Sequence, residues 1–210
     1  MYANAENIVA LPPILAAIPA PDRGRRRQVG QVRLDPAELI RFNQLVLALG
    51  RPRPLAIDQV VTAARQLEGE REPDCIRLRL DRAGAILRML ADAAWDAMDE
   101  LLDPAHAVAD YVQRADDLIP DWVPAVGRLD DAIVVEAAWP RLGGEVMDYL
   151  DFCRLRCIEA GMRGQCEHDF CFDRKDWKEA RAAEAGLREH RNRVREGCYV
   201  PRAVSYFRVH

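Results

Sequence analysis

The sequence has no uninterrupted apolar run long enough to cross a bilayer, which takes about 20 apolar residues in succession. Its N-terminal apolar stretch, Ile8 to Ile18, is short and broken by Pro12, Pro13 and Pro19. No basic cluster precedes that stretch. The arginines between Arg23 and Arg27 follow it instead, the reverse of a signal peptide, which carries its positive charge first. The segment therefore reads as a Pro-rich arm leading into a solvated, Arg-rich linker. A dominant charge is also missing: 30 Lys and Arg stand against 34 Asp and Glu, a formal net charge of −4. Bulk electrostatics thus give no reason to expect nucleic acid as a partner. The Arg run has no aromatic neighbours of the kind that stack on bases. No internal repeat is present. Six cysteines in 210 residues, five of them after residue 150, are not the pattern of a small secreted disulfide scaffold. Reduced thiols fit better, and with them a cytoplasmic location, with membrane association as the alternative.

What the sequence does contain is helix-forming composition and helical periodicity. Ala, Leu, Arg, Asp and Glu dominate, and these residues favour helix. Asp35 is placed to cap a first helix, with Pro36 at its first position and Glu38 where a capping box needs it. Leu39, Phe42, Val46 and Leu49 line one face, and Gly50 ends the helix. A second helix carries Ile57, Val60, Val61, Ala64 and Leu67, and Gly69 stops it. From Asp74 a long third helix is expected, with Ile76, Leu80, Ala83, Leu87, Leu90, Ala94, Met98 and Leu101 as its stripe. A short strand over Ile76 to Leu80 is the rival reading, since Ile76, Leu78 and Leu80 alternate. Asp103-Pro104 restarts a helix with Val108, Tyr111 and Val112 inward. The prolines between Asp116 and Gly127 break it. Helices over Leu129–Trp139, Leu142–Ala160 and Arg174–Glu196 follow, with Pro140 bending or restarting the chain. The fold class expected is all-α: a compact bundle of about six to eight helices with a Pro-rich N-terminal arm and an extended C-terminal tail. Three regions follow from this: residues 1–34 as the arm, 35–160 as the helical domain, and 161–210 as a Cys/His loop, a charged helix and the tail. The two helices between Asp35 and Leu67 could suggest a DNA-binding pair, but the second offers only Arg65 as a basic contact.

One segment is distinctive. Residues 117–135 read DLIPDWVPAVGRLDDAIVV. With Asp117, Pro120, Asp121, Pro124, Gly127, Asp130 and Asp131 at this spacing, it resembles the core of the bacterial YkvA-like family, a domain of unknown function. Many members carry Ser-Pro just before this block, where this chain has Arg114-Ala115-Asp116. The resemblance is confined to the motif and its flanking helices, over 103–150. It implies two apolar helices joined as a hairpin, often in membrane-associated proteins, and no agreed reaction.

The motif has a physical account that needs no ligand. Pro120 and Pro124 forbid continuous helix but allow short turns. Asp117 and Asp121 can accept backbone N–H groups at the start of each turn. Gly127 permits close contact, and Asp130 and Asp131 sit in the first turn of the next helix, where the dipole favours negative charge. The alternative is convergence: four carboxylates around one turn can hold a hard divalent cation such as Mg²⁺ or Ca²⁺, which implies metal-dependent hydrolysis. The stretch from Leu118 to Trp139 carries Asp121, Arg128, Asp130, Asp131 and Glu136, so it is a poor membrane span. A surface-bound or protein-docking hairpin remains, with Trp122, Val123, Trp139 and Tyr149 as contact candidates.

Cys153 and Cys157 share a helix face, and Cys166, His168 and Cys171 follow after a turn. Cys153, Cys157, Cys166 and Cys171, with His168 as a substitute, are the candidate ligands of a structural Zn²⁺ site. Their spacing is not the usual two-residue knuckle, and ordinary buried thiols are the competing reading. The functional expectation is a non-enzymatic helical module of the YkvA-like family acting on an unknown protein partner or at a membrane surface. A metal-dependent hydrolase and a zinc-stabilised adaptor are the alternatives.

Overall fold

The structure is a computed structural model that describes residues 10–19, 27–69, 71–114, 117–167 and 169–198. The tail from Tyr199 to Val209, His168 and most of the N-terminal Arg run lie outside the described residues. The fold is all-α, as the composition implies. A 3₁₀ turn at Pro13–Leu15 precedes a two-stranded antiparallel ribbon, β1 (Gln28–Val29) and β2 (Val32–Arg33). Then come α1 (Pro36–Ala48), α2 (Ile57–Leu67), α3 (Asp74–Ala91), α4 (Asp99–Val112), α5 (Leu129–Met162) and α6 (Arg174–Cys198). These form two compact units, one ending at Leu150 and the other beginning at Asp151.

In the first unit the opening signals work as read. The Asp35 carboxylate accepts the Ala37 N–H at 3.0 Å, and Pro36 opens α1. Leu39, Phe42, Val46 and Leu49 are all buried, and Gly50, at φ 117°, takes the turn that α1 ends on. Glu38 pairs with Arg41 at 2.6 Å. The reciprocal cap is on α2 instead, where Gln59 Oε1 accepts the Ala56 N–H at 3.0 Å. The same buried Gln59 side chain donates to the Ile14 and Ala17 carbonyls at 2.9 and 3.0 Å, and Arg51 donates to the Leu15 carbonyl. The Pro-rich turn is thereby fastened to α2. Asn43 fastens α1 to the chain entering α2: it donates to the Leu55 carbonyl at 2.9 Å and accepts the Leu55 N–H at 2.7 Å.

Three expected boundaries move. The residues from Ile76 to Leu80 are helical, but the helix does not continue to Leu101. It stops at Ala91. Asp92 leaves helical geometry, its carboxylate accepts the Ala94 N–H at 3.1 Å, and Asp96 takes φ 50°. The reason is Trp95, which is fully buried, donates its indole N–H to Glu145 at 3.0 Å and meets Tyr149 edge-on. Burying a tryptophan with its N–H satisfied outweighs a few helical hydrogen bonds. The inward face of α3 is also rotated: Cys75, Ile76, Arg79, Ala83, Ile86 and Met89 are buried, while Leu80, Leu87 and Leu90 are only partly so. Next, α4 starts at Asp99 rather than at Asp103, with Asp99 and Glu100 in its first turn and Pro104 buried inside it. Finally, Leu129 to Met162 is one helix that passes through Pro140. The proline removes a single i to i−4 bond, and the helix around it is held by packing. Gly143 leaves room for the Trp139 ring, which would stand 3.0 Å from a Cβ there.

The second unit uses aromatic packing around the end of α5. Phe152 meets Phe172 at 5.5 Å, and Phe172 stacks on Phe170 at 5.8 Å. The Trp177 indole donates to Asp151 at 3.0 Å. Asp173 caps α6 by accepting the Lys175 and Asp176 N–H groups at 2.8 and 2.9 Å, and Asp176 returns the bond by accepting the Asp173 N–H at 3.0 Å. Beyond this cap α6 is largely exposed through Arg195.

The Gln59 clasp gives a direct test of the arm. Gln59→Ala removes its side-chain bonds to Ile14, Ala17 and Ala56, at a cost of about 2–3 kcal/mol. Chemical denaturation should show that loss, and amide exchange at Leu15, Ala16 and Ala17 should accelerate more than exchange in α1.

Candidate functional site

The motif lies between the end of α4 and the start of α5, and its acidic residues face different environments. Asp130 and Asp131 are buried, at 1% exposure each; Asp117 is half-buried and Asp121 is exposed. Asp130 Oδ2 accepts the Tyr111 hydroxyl at 2.8 Å and the Ile119 N–H at 3.0 Å. The Tyr111 oxygen in turn accepts the Leu118 N–H at 3.4 Å. One carboxylate therefore ties the incoming loop to α4 and α5 together. Asp131 Oδ2 accepts Arg128 Nε at 3.2 Å, and among the described residues its buried Oδ1 has no hydrogen-bond partner.

The turn between them is tight. The Pro120 carbonyl accepts the Val123 N–H at 2.9 Å, the Val123 carbonyl accepts the Gly127 N–H at 2.9 Å, and Ala125 takes φ 62°. Gly127 packs directly on backbone: a Cβ there would lie 2.6 Å from the Asp121 carbonyl oxygen and 2.8 Å from that of Pro120. Glycine is required here by close approach, since its φ is not in the left-handed region. Asp121 lends its backbone to this contact, and among the described residues its side chain caps no helix turn.

Burial raises the pKa of both members of the central pair. Desolvation pushes Asp130 up to about 7, opposed by the Ile119 and Tyr111 hydrogen bonds and reinforced by Asp117. Desolvation and then the neighbouring Asp130 push Asp131 up to about 8, opposed by Arg128. The two donors on Asp130 favour its charged form, so the proton kept at neutral pH sits on Asp131. That assignment also accounts for Oδ1, which as part of a protonated carboxyl loses less than an anionic oxygen would by lacking a donor. Tyr111 is pushed upward by its own burial and by Asp130, and remains a hydroxyl donor.

Beside this junction a cleft of about 430 Å³ opens between α1 and α4. Phe42, Tyr111 and Leu118 form its apolar wall, and Arg41, Arg114 and Asp117 lie on its charged side. Of the expected contact residues, Trp122 is exposed at 68%, Trp139 is half-buried, and Val123 and Tyr149 are core. Val123 is buried because the loop is folded inward, and Tyr149, on α5, because it packs against Trp95.

The cysteine candidates are thiols, not disulfides. Cys153 is half-buried, while Cys157, Cys166 and Cys171 are exposed, and His168 lies outside the described residues. Among the described residues, no three His, Cys, Asp or Glu side chains come together in an arrangement able to hold a metal ion. Nor is any described helix long and apolar enough to cross a membrane. Tyr111 was visible in the sequence as an inward residue, but its role as the donor to Asp130 was not. The clue is chemical: a buried aspartate needs donors. Comparison with protein-family models, with curated proteins and with solved structures found no match to this chain.

Two outcomes follow from the junction. Gly127→Ala forces the turn apart and should cost about 3 kcal/mol, an overpacking effect against rigid backbone, seen as a lower denaturation midpoint. For the acidic pair, both folded-state pKa values stand above the unfolded carboxylate value of about 3.9. The folded state therefore holds more protons between about pH 4 and 8, and stability contributed by the pair falls as pH rises through that window. Thermal melts should show this decline, by up to about 1.4 kcal/mol per pH unit for each group. Asp131→Asn, which cannot ionise, should flatten it.

Proposed function

We propose that the chain is a non-enzymatic helical module of the YkvA-like type, whose motif loop offers a rigid contact face to a protein partner. The observation that carries this reading is the inward use of Asp130. Its carboxylate is occupied by the Tyr111 hydroxyl and the Ile119 N–H, so one of the two buried acids of the motif is engaged in holding the loop. The outward residue is Trp122, and tryptophan on a rigid support is a common interface anchor. A membrane surface is the alternative target, since indole rings also settle at the headgroup level.

Trp122→Ala tests the module reading. It should leave the melting temperature nearly unchanged, because the ring is exposed. It should also abolish site-specific photocrosslinking from a neighbouring loop position to whatever protein the wild type captures in cells. A crosslinked partner retained in full by the variant would sink the reading. Alanine at Asp117 and Asp121 should alter stability only. Were Mg²⁺ or Ca²⁺ instead to raise the melting temperature, with Asp131→Asn abolishing the rise, a hydrolase using Asp117, Asp121, Asp130 and Asp131 would replace it. About one tightly held zinc per chain would favour the adaptor built on Cys153, Cys157, Cys166, Cys171 and His168.

A further inference from the structure

In the second unit the far part of α6 stands uncovered: every residue from Ala185 to Arg195 is exposed. The sequence of α6 nonetheless keeps a seven-residue repeat along its length. Ala180-Arg181, Leu187-Arg188 and Val194-Arg195 each place an apolar residue beside an arginine. Trp177, Glu184 and Arg191 recur at the same interval. Positions three and four apart share a helix face. Trp177, Ala180, Glu184, Leu187, Arg191 and Val194 therefore form one stripe, with the repeated arginines along its edge.

The first repeat is docked. Trp177 is buried and donates its indole N–H to Asp151 at 3.0 Å. Ala180 and Glu184 are half-buried, and Glu184 accepts two nitrogens of Arg154 at 3.2 and 3.0 Å. Arg181 lies over the Trp177 ring, 5.1 Å from its centre. Beyond Glu184 this cover ends while the stripe continues, with Leu187 exposed at 61% and Val194 at 47%. A helix draws most of its stability from packing such a face, and here Gly186 lowers the local helix propensity as well. Among the described residues Arg188, Arg191 and Arg195 make no ion pair, whereas Arg193, on the opposite side of the helix, pairs with Glu189 at 3.8 Å.

The charge of this face selects its occupant. Residues 199–210 hold Arg202 and Arg208 and no acid, so the chain's own tail does not complement it. A second copy fails for the same reason. In a parallel helix pair Arg188 and Arg195 would meet Ala183 and His190, and in an antiparallel pair they would meet one another. Residues 185–195 hold no Trp, Tyr or Phe, the side chains that seat a helix at a membrane interface or stack on bases. Aliphatic contacts seven residues apart, edged by charge, are what another amphipathic helix packs against. We propose that the stretch of α6 from Leu187 to Arg195 docks an acidic amphipathic helix of a partner protein. Leu187 and Val194 supply the apolar contacts; Arg188, Arg191 and Arg195 meet its carboxylates. The surface lies in the second unit and is independent of the motif loop and of the docking role assigned to it.

The test is fluorescence anisotropy of labelled synthetic heptad peptides with the full chain. The probe has Leu at its inward positions and Glu at the flanking ones, so its own charges keep it from pairing with itself. One control peptide replaces Glu by Lys; another replaces Leu by Ser and keeps Glu. The Leu/Glu peptide should bind, and the Leu/Lys peptide should bind at least about tenfold more weakly. Joint Arg188→Glu and Arg195→Glu substitution should invert that preference. Joint Leu187→Ala and Val194→Ala substitution should weaken the Leu/Glu peptide about tenfold. All four positions are exposed, so helix content by circular dichroism should hold, and Arg188→Gln with Arg195→Gln serves as a milder pair should the charge reversal unfold α6. Equal binding of the Glu and Lys peptides would overturn the proposal. So would equal binding of the Leu/Glu and Ser/Glu peptides, which is bare charge attraction, or binding untouched by the substitutions, which puts the peptide elsewhere. Tighter binding to phosphatidylserine vesicles or to single-stranded RNA, lost in the charge-reversed variant, would assign the face to a membrane or to nucleic acid and overturn it too. Self-association in sedimentation equilibrium that Leu187→Ala and Val194→Ala abolish would make the occupant a second copy and equally sink it.

Discussion

Asp130 receives donors from two directions. The Tyr111 hydroxyl comes from the last turn of α4 and the Ile119 N–H from the loop that follows it, while Asp130 itself belongs to the first turn of α5. Hydrogen bonds to a carboxylate are each worth about 1.5–3 kcal/mol, and an unpaired buried charge costs more than a lost bond. The loop between α4 and α5 can therefore close in only one register. If it slipped by a residue, Asp130 would be left buried without its donors. The tight contact at Gly127 and the core positions of Ile119, Val123 and Val126 follow from that single registration.

Arg79 and Glu136 play a comparable part on another face of the same helix, with a different balance. At the Asp130 junction the negative charge is matched by neutral donors and hidden from solvent. At Glu136 the carboxylate takes the sealed Arg79 guanidinium while its own side chain stays 43% exposed. Pro140 sits one turn beyond Glu136 and removes the N–H that would otherwise bond to its carbonyl, so backbone and side chain both depart from regular helix pairing along this stretch. Trp139 and Gly143 fit together there, the glycine leaving room for the ring.

Much of this was legible in the sequence. The Asp35-Pro36 start, the Gly50 stop and the apolar faces of α1 and α2 follow from spacing alone, because local capping and amphipathic burial point the same way there. The long-helix reading of 74–101 failed at Trp95. Periodicity counts apolar residues at helical spacing, but it cannot see that a buried indole has an acceptor waiting at Glu145, fifty positions along the chain. Arg79 was missed for a related reason: an arginine inside an apolar stripe reads as an interruption until Glu136 is known to face it. In the motif, the sequence showed why each acidic residue suits a turn. It could not show that Asp121 would point outward while Asp130 and Asp131 went inward, because that division depends on Tyr111 and on the backbone contact at Gly127.

Cys75 adds one practical property. It is buried in α3, four residues from Arg79, whose guanidinium donates to its carbonyl at 3.1 Å. Desolvation raises its thiol pKa, so little thiolate forms and what forms is shielded. Cys157, Cys166 and Cys171 are open to solvent in the second unit. Among the described thiols the extremes thus run on different clocks: Cys157, Cys166 and Cys171 alkylate as fast as reagent arrives, whereas Cys75 alkylates only when α3 comes away from the core. Pulse labelling of Cys75 would time the opening of the first unit without any introduced probe.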